Sequence, residues 1–310
     1  MQRLQVPIDP SVSQVRIDVF LAKYLGIATR SQLKERLVEV RLNGKVVKIS
    51  HKLKGGEKLE LFLKPVEPLK LEPQDIPLTV LYEDERVIVL NKPTGMVVHP
   101  GAGVGQGTLV HGLLHHIKHL KTIFNSELIR PGIVHRLDKD TSGVLIAAKD
   151  PQTLEFLSSQ FREKKVQKIY LALVKGFLPN SEDTVVARIV RDPRNRKKFT
   201  CLEQKEKENR GKPMLTYYRV LKQYSESSFV WLQPLTGRTH QLRVQMQALG
   251  CPILGDSIYS RGGKDNAFNR LLLHAYRLKI ALPNESNYHI FYAPLPQDFK
   301  QALRSLSDSL

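Results

Sequence analysis

Apolar residues near the N-terminus first follow helical spacing and then alternate as in strands. Residues 17–25 carry apolar side chains along one helical face, and Gly26 would end that helix. Thr29 and Gln32 form a capping-box pattern, which predicts a second helix that runs through Val40. Two helices are therefore expected before the first strands of this region.

Two turn signals follow and delimit short strands. Asn43-Gly44 lies between two apolar pieces, which is a strong signal for a tight hairpin. Gly55-Gly56 marks another turn, and residues 58–62 alternate between polar and apolar side chains after it. Residues 16–63 are thus expected to form one compact α/β unit.

Prolines interrupt the segment that comes next. Four of them lie within residues 64–77, so this segment cannot run as a regular helix or a central strand. We therefore expect a small domain over residues 1–66, a proline-rich linker over 67–77 and a larger domain over 78–310.

The larger region mixes strand and helix signals without a fixed repeat. Helices are predicted to start at Thr108 and, with proline in the first turn, at Asp150. Another is predicted from Gln241 to about Leu249, because Gly250 would end it. This irregular order favours an α+β fold with a mixed, mainly antiparallel central sheet flanked by helices. The predicted strands are 78–82, which pairs with 87–90, and then 144–148, 169–174 and 229–232.

Charge adds information about the partner. The 310 residues include 48 Lys and Arg against 30 Asp and Glu, which gives a net charge of +18. Such an excess attracts polyanions, and nucleic acid is the commonest soluble polyanion. A surface tuned for solubility is the alternative, and charge alone does not separate RNA from DNA or from an acidic membrane surface.

Other features of the composition narrow the class of protein. No stretch of about 18 consecutive apolar residues is present, so no transmembrane helix is expected. The first residues lack the apolar core of a secretory signal. The two cysteines, Cys201 and Cys251, have no spacing typical of zinc or of a disulfide framework. A reducing cytoplasm is therefore the expected location.

Residues 132–150 contain the densest group of candidate catalytic side chains. Asp138 and Asp140 lie close to His135 and Arg136, in a predicted loop before an apolar strand. A carboxylate beside a fixed positive charge stays ionised, which suits a nucleophile or a base. A structural network of ion pairs explains the same residues equally well.

Three other patterns suggest weaker alternatives. The order His-Arg-Leu-Asp shares residue types with a kinase catalytic loop, but its aspartate is displaced and no Asp-Phe-Gly follows. The glycines between 101 and 107 do not match a dinucleotide-binding fingerprint. His111 and His115 have the spacing of helical metal ligands, yet no carboxylate or thiol partner accompanies them. A polar helix face is the better interpretation, and neither a metal nor another cofactor is expected.

The N-terminal unit carries one cluster of basic residues. Residues 1–63 contain twelve basic and six acidic residues. Phosphate contacts from such a surface would give affinity and orientation with little base specificity, whereas the alternative is a solvated helix face. The basic residues around its second helix and hairpin are Arg30, Lys34, Arg41 and Lys45.

A second basic segment spans residues 191–212, with nine basic and four acidic residues. Its weak periodicity predicts a protruding hairpin or a mobile loop. Such a segment could clamp a phosphate backbone, and a merely solvated loop is the alternative.

The sequence HRLDKDTSG at residues 135–143 resembles the signature of the RluA/RluD-type pseudouridine synthases. Further similar segments occur at 87–101, 167–176, 235–256 and 271–278. Departures from the family pattern are Gln245 and Met214. The resemblance covers most of residues 78–295 and implies a pseudouridine-synthase fold and the isomerisation of uridine in RNA without a cofactor.

The resemblance also implies roles for individual residues. Asp138 would be the catalytic aspartate, and Tyr170 would stack on the base or act as an acid or base. Arg243 would pair with Asp138 and keep it ionised, with Arg238 as second choice for that role or as an RNA contact. Without the resemblance, Tyr170 and Arg243 would be an ordinary strand aromatic and a surface helix cation. Arg136 would hold the flipped-out nucleotide, and the neighbouring His135 is also expected to contact RNA.

Residues 16–48 resemble the small S-four-type RNA-binding domain, which implies RNA rather than DNA as partner. With residues 97–114, this domain makes the chain most similar to the type that acts on 23S ribosomal RNA of the large subunit. A synthase acting on another ribosomal site or on tRNA, and a non-catalytic ribosome-assembly factor, are the alternatives. A cytoplasmic monomer is the default expectation.

Overall fold

The computed structural model describes residues 2–25, 33, 36–64, 71–101, 103–124, 130–195, 198–202, 210–260, 268–285 and 287–307. The chain divides into two compact units, Met1–Lys70 and Leu71–Leu310. The linker predicted over residues 67–77 stays a prediction, and residues 65–70 lie outside the described part. Within the described part, no helix is long and apolar enough to cross a membrane.

The first unit is built on a four-stranded antiparallel sheet in the order β1-β4-β2-β3. A short helix and a π-helical turn pack their apolar side chains, such as Ile17 and Leu21, against it. The elements are β1 (Gln2–Pro7), α1 (Ile17–Val19), the π-helical turn (Phe20–Tyr24), β2 (Leu37–Leu42), β3 (Lys45–Val46) and β4 (Lys58–Leu63).

The hairpin predicted at Asn43-Gly44 is confirmed. Both residues have positive φ angles, 49° and 80°, and they join β2 to β3. A two-residue turn with this conformation matches the right-handed twist of the flanking strands. Lys45 is exposed beside this turn.

The predicted second helix is wrong over its last residues. Residues 37–42 form β2, which pairs with β4 instead of continuing a helix. Val40 and Leu42 are buried while Val38 is exposed, so the alternation that decides the structure here is that of a strand. Pairing with β4 outweighs the weak local preference for a helix. Arg30 and Lys34 lie outside the described residues.

The larger unit contains one extensive sheet in the order β10-β9-β11-β12-β8-β13-β7-β6-β5, with β14 paired to β13. All neighbouring strands are antiparallel except β13 and β7, which confirms the mixed, mainly antiparallel sheet. Its elements are β5 (Val80–Glu83), β6 (Val87–Lys92), α2 (Leu109–His116), α3 (Leu120–Ile123), β7 (Ser142–Ala148), α4 (Pro151–Arg162), β8 (Gln167–Lys175), β9 (Glu182–Arg191), β10 (Phe199–Leu202), β11 (Lys212–Gln223), β12 (Ser227–Pro234), α5 (Gln241–Ala248), β13 (Leu273–Ala281), β14 (Tyr288–Tyr292) and α6 (Gln297–Ser307).

The predicted helix boundaries in this unit agree with their caps. Asp150 accepts the backbone N–H of Thr153 at 2.8 Å at the start of α4, and Gly250 follows α5 with a φ of 77°. At the start of α2, Thr108 and His111 form a reciprocal cap in which the hydroxyl lies 2.7 Å from the imidazole Nδ1. His111 is buried, so its side chain caps the helix and does not belong to a polar face.

Candidate active site

The loop that carries the two carboxylates leads into β7. Ile133 bridges Ala147, and Thr141 donates its N–H to the Asp138 carbonyl oxygen at 3.2 Å. Leu137 is buried, whereas the Asp138 side chain remains 19% exposed. The backbone of this loop is therefore fixed while the Asp138 carboxylate reaches solvent.

A buried lysine fastens the same loop to the segment after β6. The Lys92 ammonium donates to the carbonyl oxygens of Pro93, Met96 and Lys139 at 2.8, 2.9 and 3.0 Å. Burial lowers the pKa of Lys92 to about 7, although the charges of nearby aspartates oppose this shift. Three carbonyl acceptors match the three donors of an ammonium group, so Lys92 holds two loops in one arrangement.

Replacing Lys92 with methionine is expected to lower the free energy of unfolding by about 2–4 kcal/mol, because three carbonyl groups lose the buried ammonium that binds them. The single tryptophan, Trp231, lies in β12, so its fluorescence reports urea unfolding of the larger unit. The exposed neighbour Lys139 provides the matched control Lys139→Met. Equal stability losses in the two variants would contradict an anchoring role for Lys92.

A second buried network joins β7 to β13. Ser142 donates its hydroxyl to His274 Nδ1 at 2.8 Å, and His274 Nε2 donates to the Ala293 carbonyl at 3.1 Å. Arg270 completes the network through Ser142 at 2.7 Å and Asp298 at 3.1 Å. Burial lowers the pKa of His274 to about 4, so the imidazole is neutral at pH 7.

The pKa of His274 predicts a loss of stability in mild acid. Its folded pKa lies below the unfolded value of 6.5, so the unfolded chain binds more protons between pH 6.5 and about 4. The stabilisation is complete above pH 6.5 and falls as the pH drops through this window. Urea unfolding at pH 7.5 and 5.5 should show that the wild type loses about 1 kcal/mol more than His274→Gln. Equal losses in both proteins would show that protonation of His274 does not cause the loss of stability.

Six of the predicted site residues line one cavity of about 460 Å³: His135, Arg136, Asp138, Tyr170, Arg238 and Arg243. Strand β8, the loop before β7 and the N-terminus of α5 supply most of its wall. Asp138 is the one acidic side chain among the described residues that line it. The other charged side chains of the lining are basic, so the electrostatic field of the cavity attracts a polyanion, and Asp138 is the carboxylate available for chemistry. The basic lining residues are Arg136, Arg162, Lys164, Lys168, Arg238 and Arg243.

Arg243 lies between two carboxylates in the wall of this cavity. Its Nε and Nη2 atoms each lie 2.7 Å from an oxygen of Asp256, whereas Nη1 lies 3.8 Å from Asp138 Oδ2. Both Arg243 and Asp256 are buried. Burial opposes the charge of Arg243, but the hydrogen bonds to Asp256 outweigh it and raise the pKa of the guanidinium. Arg243 is therefore held by Asp256 and faces Asp138 with its remaining nitrogen.

Aromatic side chains complete the surroundings of Arg243. The guanidinium lies 5.2 Å from the ring centroid of Tyr259, whose hydroxyl is 2.9 Å from His240 Nδ1. His240 begins α5 with a φ of 57°, a conformation that side-chain-bearing residues rarely adopt. Asp256 also accepts the backbone N–H groups of Ile258 and Tyr259 at 2.9 and 3.0 Å. The Asp256 carboxylate, the Tyr259 ring and the Arg243 guanidinium thus hold one another in place.

Tyr170 enters the cavity from β8. It pairs with Leu232 of β12 and Ala275 of β13 in the centre of the sheet. Burial, followed by the charge of Asp138, raises the pKa of Tyr170 above its usual value. The phenol is therefore protonated at pH 7, which suits stacking and hydrogen-bond donation better than proton abstraction.

His135 lines the cavity but is anchored to the fold. Its Nε2 accepts the backbone N–H of Ile146 at 3.1 Å, and its ring stacks on Phe161 at 4.6 Å. Burial lowers the pKa of His135 to about 3, so the ring is neutral at pH 7. The predicted contact of His135 with RNA stays a prediction.

The two other predicted arginines lie at the rim. Arg136 is exposed and forms no ion pair with a carboxylate in the described part of the chain. Arg238 donates its Nε to the Pro213 carbonyl at 3.3 Å, and its backbone N–H is bound by Gln241. Arg136 is therefore the freer cation for a phosphate.

Several residues of the site carried no predicted role. Lys92 and Asp256 lie inside segments that resemble the family, yet a sequence presents them as an ordinary lysine and aspartate. Lys164, Lys168 and His240, which line the cavity, also carried no predicted role. Their positions depend on strand pairing and burial, so no local pattern could have identified them.

The two departures from the family pattern are both buried. Gln245 bonds Thr216 at 2.6 Å and the Val185 carbonyl at 3.1 Å, which ties α5 to β11 and β9. Met214 packs in a small cluster with Val244 and Tyr259. Both side chains support the wall of the site from behind.

The basic segment at 191–212 forms a hairpin over its first part. Strands β9 and β10 pair antiparallel, and near the turn the backbone N–H of Asp192 donates to the carbonyl oxygen of Lys198 at 3.0 Å. Phe199 donates its backbone N–H to the Tyr259 hydroxyl at 3.0 Å. The hairpin is thus connected to the cluster around Arg243, while residues 196–197 and 203–209 lie outside the described part.

Comparisons with known proteins agree on the family. A sequence model described as RNA pseudouridylate synthase matches residues 86–248. Ribosomal large subunit pseudouridine synthase D of Borreliella burgdorferi is 45% identical, over 92% of this chain and 87% of its own length. The protein of the same name from Neisseria meningitidis serogroup A is 37% identical, over 98% of this chain and 81% of its own.

A solved structure also shares the fold. Human RNA Pseudouridylate Synthase Domain Containing 4 is 28% identical to this chain, with a TM-score of 0.59. The match covers 74% of this chain and 93% of the human one. With the family match over more than half of its residues and the close relatives over nearly all of them, this chain belongs to the RNA pseudouridine synthase family, whose members are isomerases.

Proposed function

We propose that this protein converts uridine to pseudouridine in 23S ribosomal RNA of the large subunit, with Asp138 as the catalytic carboxylate. The observation that carries the proposal concerns the described residues that line the cavity: Asp138 is the single carboxylate among them, and the other charged residues are basic. Relatives named for the large ribosomal subunit, 45% and 37% identical over nearly the whole chain, support this RNA as the substrate.

The reaction rearranges one nucleotide. The bond between ribose C1′ and uracil N1 breaks, the base turns and C1′ bonds to C5. The proton at C5 leaves to solvent, and N1 gains a proton in its place. Substrate and product are isomers, so the residues of the cavity only need to hold the nucleotide, supply an ionised carboxylate and move protons. The base must first leave its stack, at a cost of a few kcal/mol that stacking and phosphate contacts offset.

Each site residue has a proposed part in these steps. Asp138 acts as the carboxylate that starts the rearrangement, and the Arg243 Nη1 atom at 3.8 Å favours its ionised form. Tyr170 stacks on the uracil and donates a proton or hydrogen bond from its neutral hydroxyl. Arg136 binds the backbone beside the flipped nucleotide, and Arg191 and Arg194 at the end of β9 contribute further phosphate contacts.

The small N-terminal unit is proposed to add RNA affinity through exposed lysines and arginines. The charge of Arg41 is partly neutralised by Glu39 at 2.5 Å, whereas Lys45 is exposed. Reversing both charges should raise the Kd for ribosomal RNA roughly three- to tenfold and reduce its salt dependence, with kcat unchanged. Lys52→Glu with Lys54→Glu is the matched control. A lower kcat, or equal weakening by the control, would show that these positions do not form a specific surface.

The proposed location and oligomeric state follow from the same activity. Ribosomal RNA is a cytoplasmic substrate, and the two cysteines of the chain, Cys201 and Cys251, are free thiols. The enzyme is proposed to act there as a monomer. Sedimentation of the purified protein measures this directly.

The test of the function is tritium release from RNA labelled at uridine C5. We expect release from large-subunit ribosomal RNA or its assembled subunit without added cofactor. The amount of tritium released per RNA molecule gives the number of modified uridines. Asp138→Asn controls for contaminating synthases. Release from tRNA alone would replace the proposed substrate, and release from no RNA would favour a binding factor.

A further inference from the structure

Strand β14 carries an exposed aromatic stripe. Tyr288, Ile290 and Tyr292 alternate along the strand and are 48%, 45% and 50% exposed, while Phe291 between them is buried. Successive side chains of a strand point to opposite faces, so the three exposed residues share one face. Among the described strands β14 pairs only with β13, so this stripe lies at an edge of the sheet.

Basic side chains lie on the same face as the stripe. In the pairing of β13 with β14, Arg277 is opposite Tyr292 and Lys279 is opposite Ile290. The Lys279 ammonium lies 5.2 Å from the ring centroid of Tyr288, close enough for a cation–π contact. These five residues, Tyr288, Ile290, Tyr292, Arg277 and Lys279, are called the β14 surface.

The β14 surface is on the reverse side of the sheet from the active site. Lys168 of β8 lines the cavity, and it pairs with Leu278 of β13. Directly paired residues share a face, so Leu278 faces the cavity side. Its neighbours Arg277 and Lys279 therefore face the other side. None of the five residues of the β14 surface lines the catalytic cavity.

A basic segment directly before β8 lies near both surfaces. Arg162, at the end of α4, and Lys164 line the cavity. Lys165 comes two residues before Gln167, which pairs with Lys279 of the β14 surface, and it forms a 2.7 Å ion pair with Glu163. Basic side chains thus occur both at the rim of the cavity and beside the β14 surface.

We propose that the β14 surface binds a single-stranded segment of the RNA substrate that flanks the target uridine. Two bases would stack on Tyr288 and Tyr292, and the adjoining phosphates would contact Lys279 and Lys165. Exposed aromatics on a sheet, next to basic side chains, are an established way of binding single-stranded RNA. This proposal rests on the proposed function in one respect, the identity of the RNA that is bound.

The charges favour RNA over a protein occupant. Protein interfaces are depleted of lysine, whereas Lys279 lies within this surface, opposite Ile290 and with its ammonium at the Tyr288 ring. A second copy docking symmetrically would bring two further cations, its own Arg277 and Lys279, into the same interface. A polyanion gains from both charges and from the tyrosine rings.

The test measures affinity with a fluorescein-labelled oligouridine and the full-length protein. Tyr288→Ser combined with Tyr292→Ser should raise the Kd roughly tenfold or more, because each stacked base contributes substantially. Tyr288→Phe combined with Tyr292→Phe should retain wild-type affinity, since this variant keeps the stacking rings. The matched control is Phe156→Ser with Phe177→Ser, two other exposed aromatics, which should change the Kd less than twofold.

Activity on ribosomal RNA separates this surface from the catalytic site. The serine pair should raise KM and leave kcat unchanged. A Kd within twofold of the wild type would overturn the proposal, as would an effect confined to the sedimentation coefficient, which would indicate docking of a second copy. If the wild type releases no tritium but its oligouridine affinity still depends on the tyrosines, the proposed function fails and the binding surface stands.

Discussion

Replacing Asp138 with asparagine is expected to reduce pseudouridine formation by about four orders of magnitude or more. The amide has nearly the size of the carboxylate but cannot act as a nucleophile or a base at pH 7. RNA binding should be retained, because the basic residues of the cavity stay in place and one negative charge is removed. Single-turnover tritium release measures the rate, and filter binding on the same RNA measures the Kd.

The neighbouring carboxylate supplies the control for this prediction. Asp140 belongs to the same loop and its carbonyl accepts the Thr94 hydroxyl at 2.8 Å, but its side chain does not line the cavity. Asp140→Asn should therefore keep most of the activity. Turnover by Asp138→Asn at near the wild-type rate would exclude Asp138 as the catalytic residue. Equal inactivation by both variants would point to the loop as a whole.

Local patterns predicted those parts of the fold that short-range physics decides. The Asn43-Gly44 turn needs positive φ angles that few other residue pairs adopt. The aspartate cap of α4 and the glycine that ends α5 satisfy backbone groups within a few residues of themselves. Such features are independent of the rest of the chain, which explains why the sequence was sufficient for them.

Elements that depend on distant partners were missed or misjudged. The C-terminal helix α6 and strands β9 and β11 had no predicted counterparts, because their apolar faces complement residues from other parts of the chain. The end of the predicted second helix became β2 for the same reason, since β4 provides its hydrogen-bonding partner. Sequence position alone does not show which segment will pair with a given strand.

The candidate site shows the same division. Asp138, Tyr170 and Arg243 were predicted through family resemblance, and all three line one cavity. The expectation that Arg243 pairs chiefly with Asp138 did not include Asp256, which makes the two short contacts at 2.7 Å. A carboxylate with one long contact stays available for reaction, whereas one bound by two nitrogens is committed to structure. This difference separates the proposed catalytic aspartate, Asp138, from the aspartate that positions Arg243, Asp256.

Replacing Asp256 with asparagine is expected to lower the free energy of unfolding by about 3–5 kcal/mol, because it leaves the buried Arg243 cation without its carboxylate. We also expect kcat to fall roughly 100- to 1000-fold, since the guanidinium is no longer aimed at Asp138. The Kd for RNA should change little, because Asp256 is buried and does not line the cavity. Urea unfolding and single-turnover release measure the two effects separately.

The chain offers a matched pair for comparison. Arg270 and Asp298 also form an Arg–Asp ion pair, at 3.1 Å, but the aspartate is half exposed. Asp298→Asn should therefore cost at most about 1 kcal/mol and leave kcat unchanged. Asp256→Glu keeps the charge and should restore part of the kcat that Asp256→Asn loses. If Asp256→Asn lowers stability but leaves kcat intact, Arg243 does not need its bidentate partner for catalysis, and the 3.8 Å approach to Asp138 is maintained by Tyr259 and the helix alone.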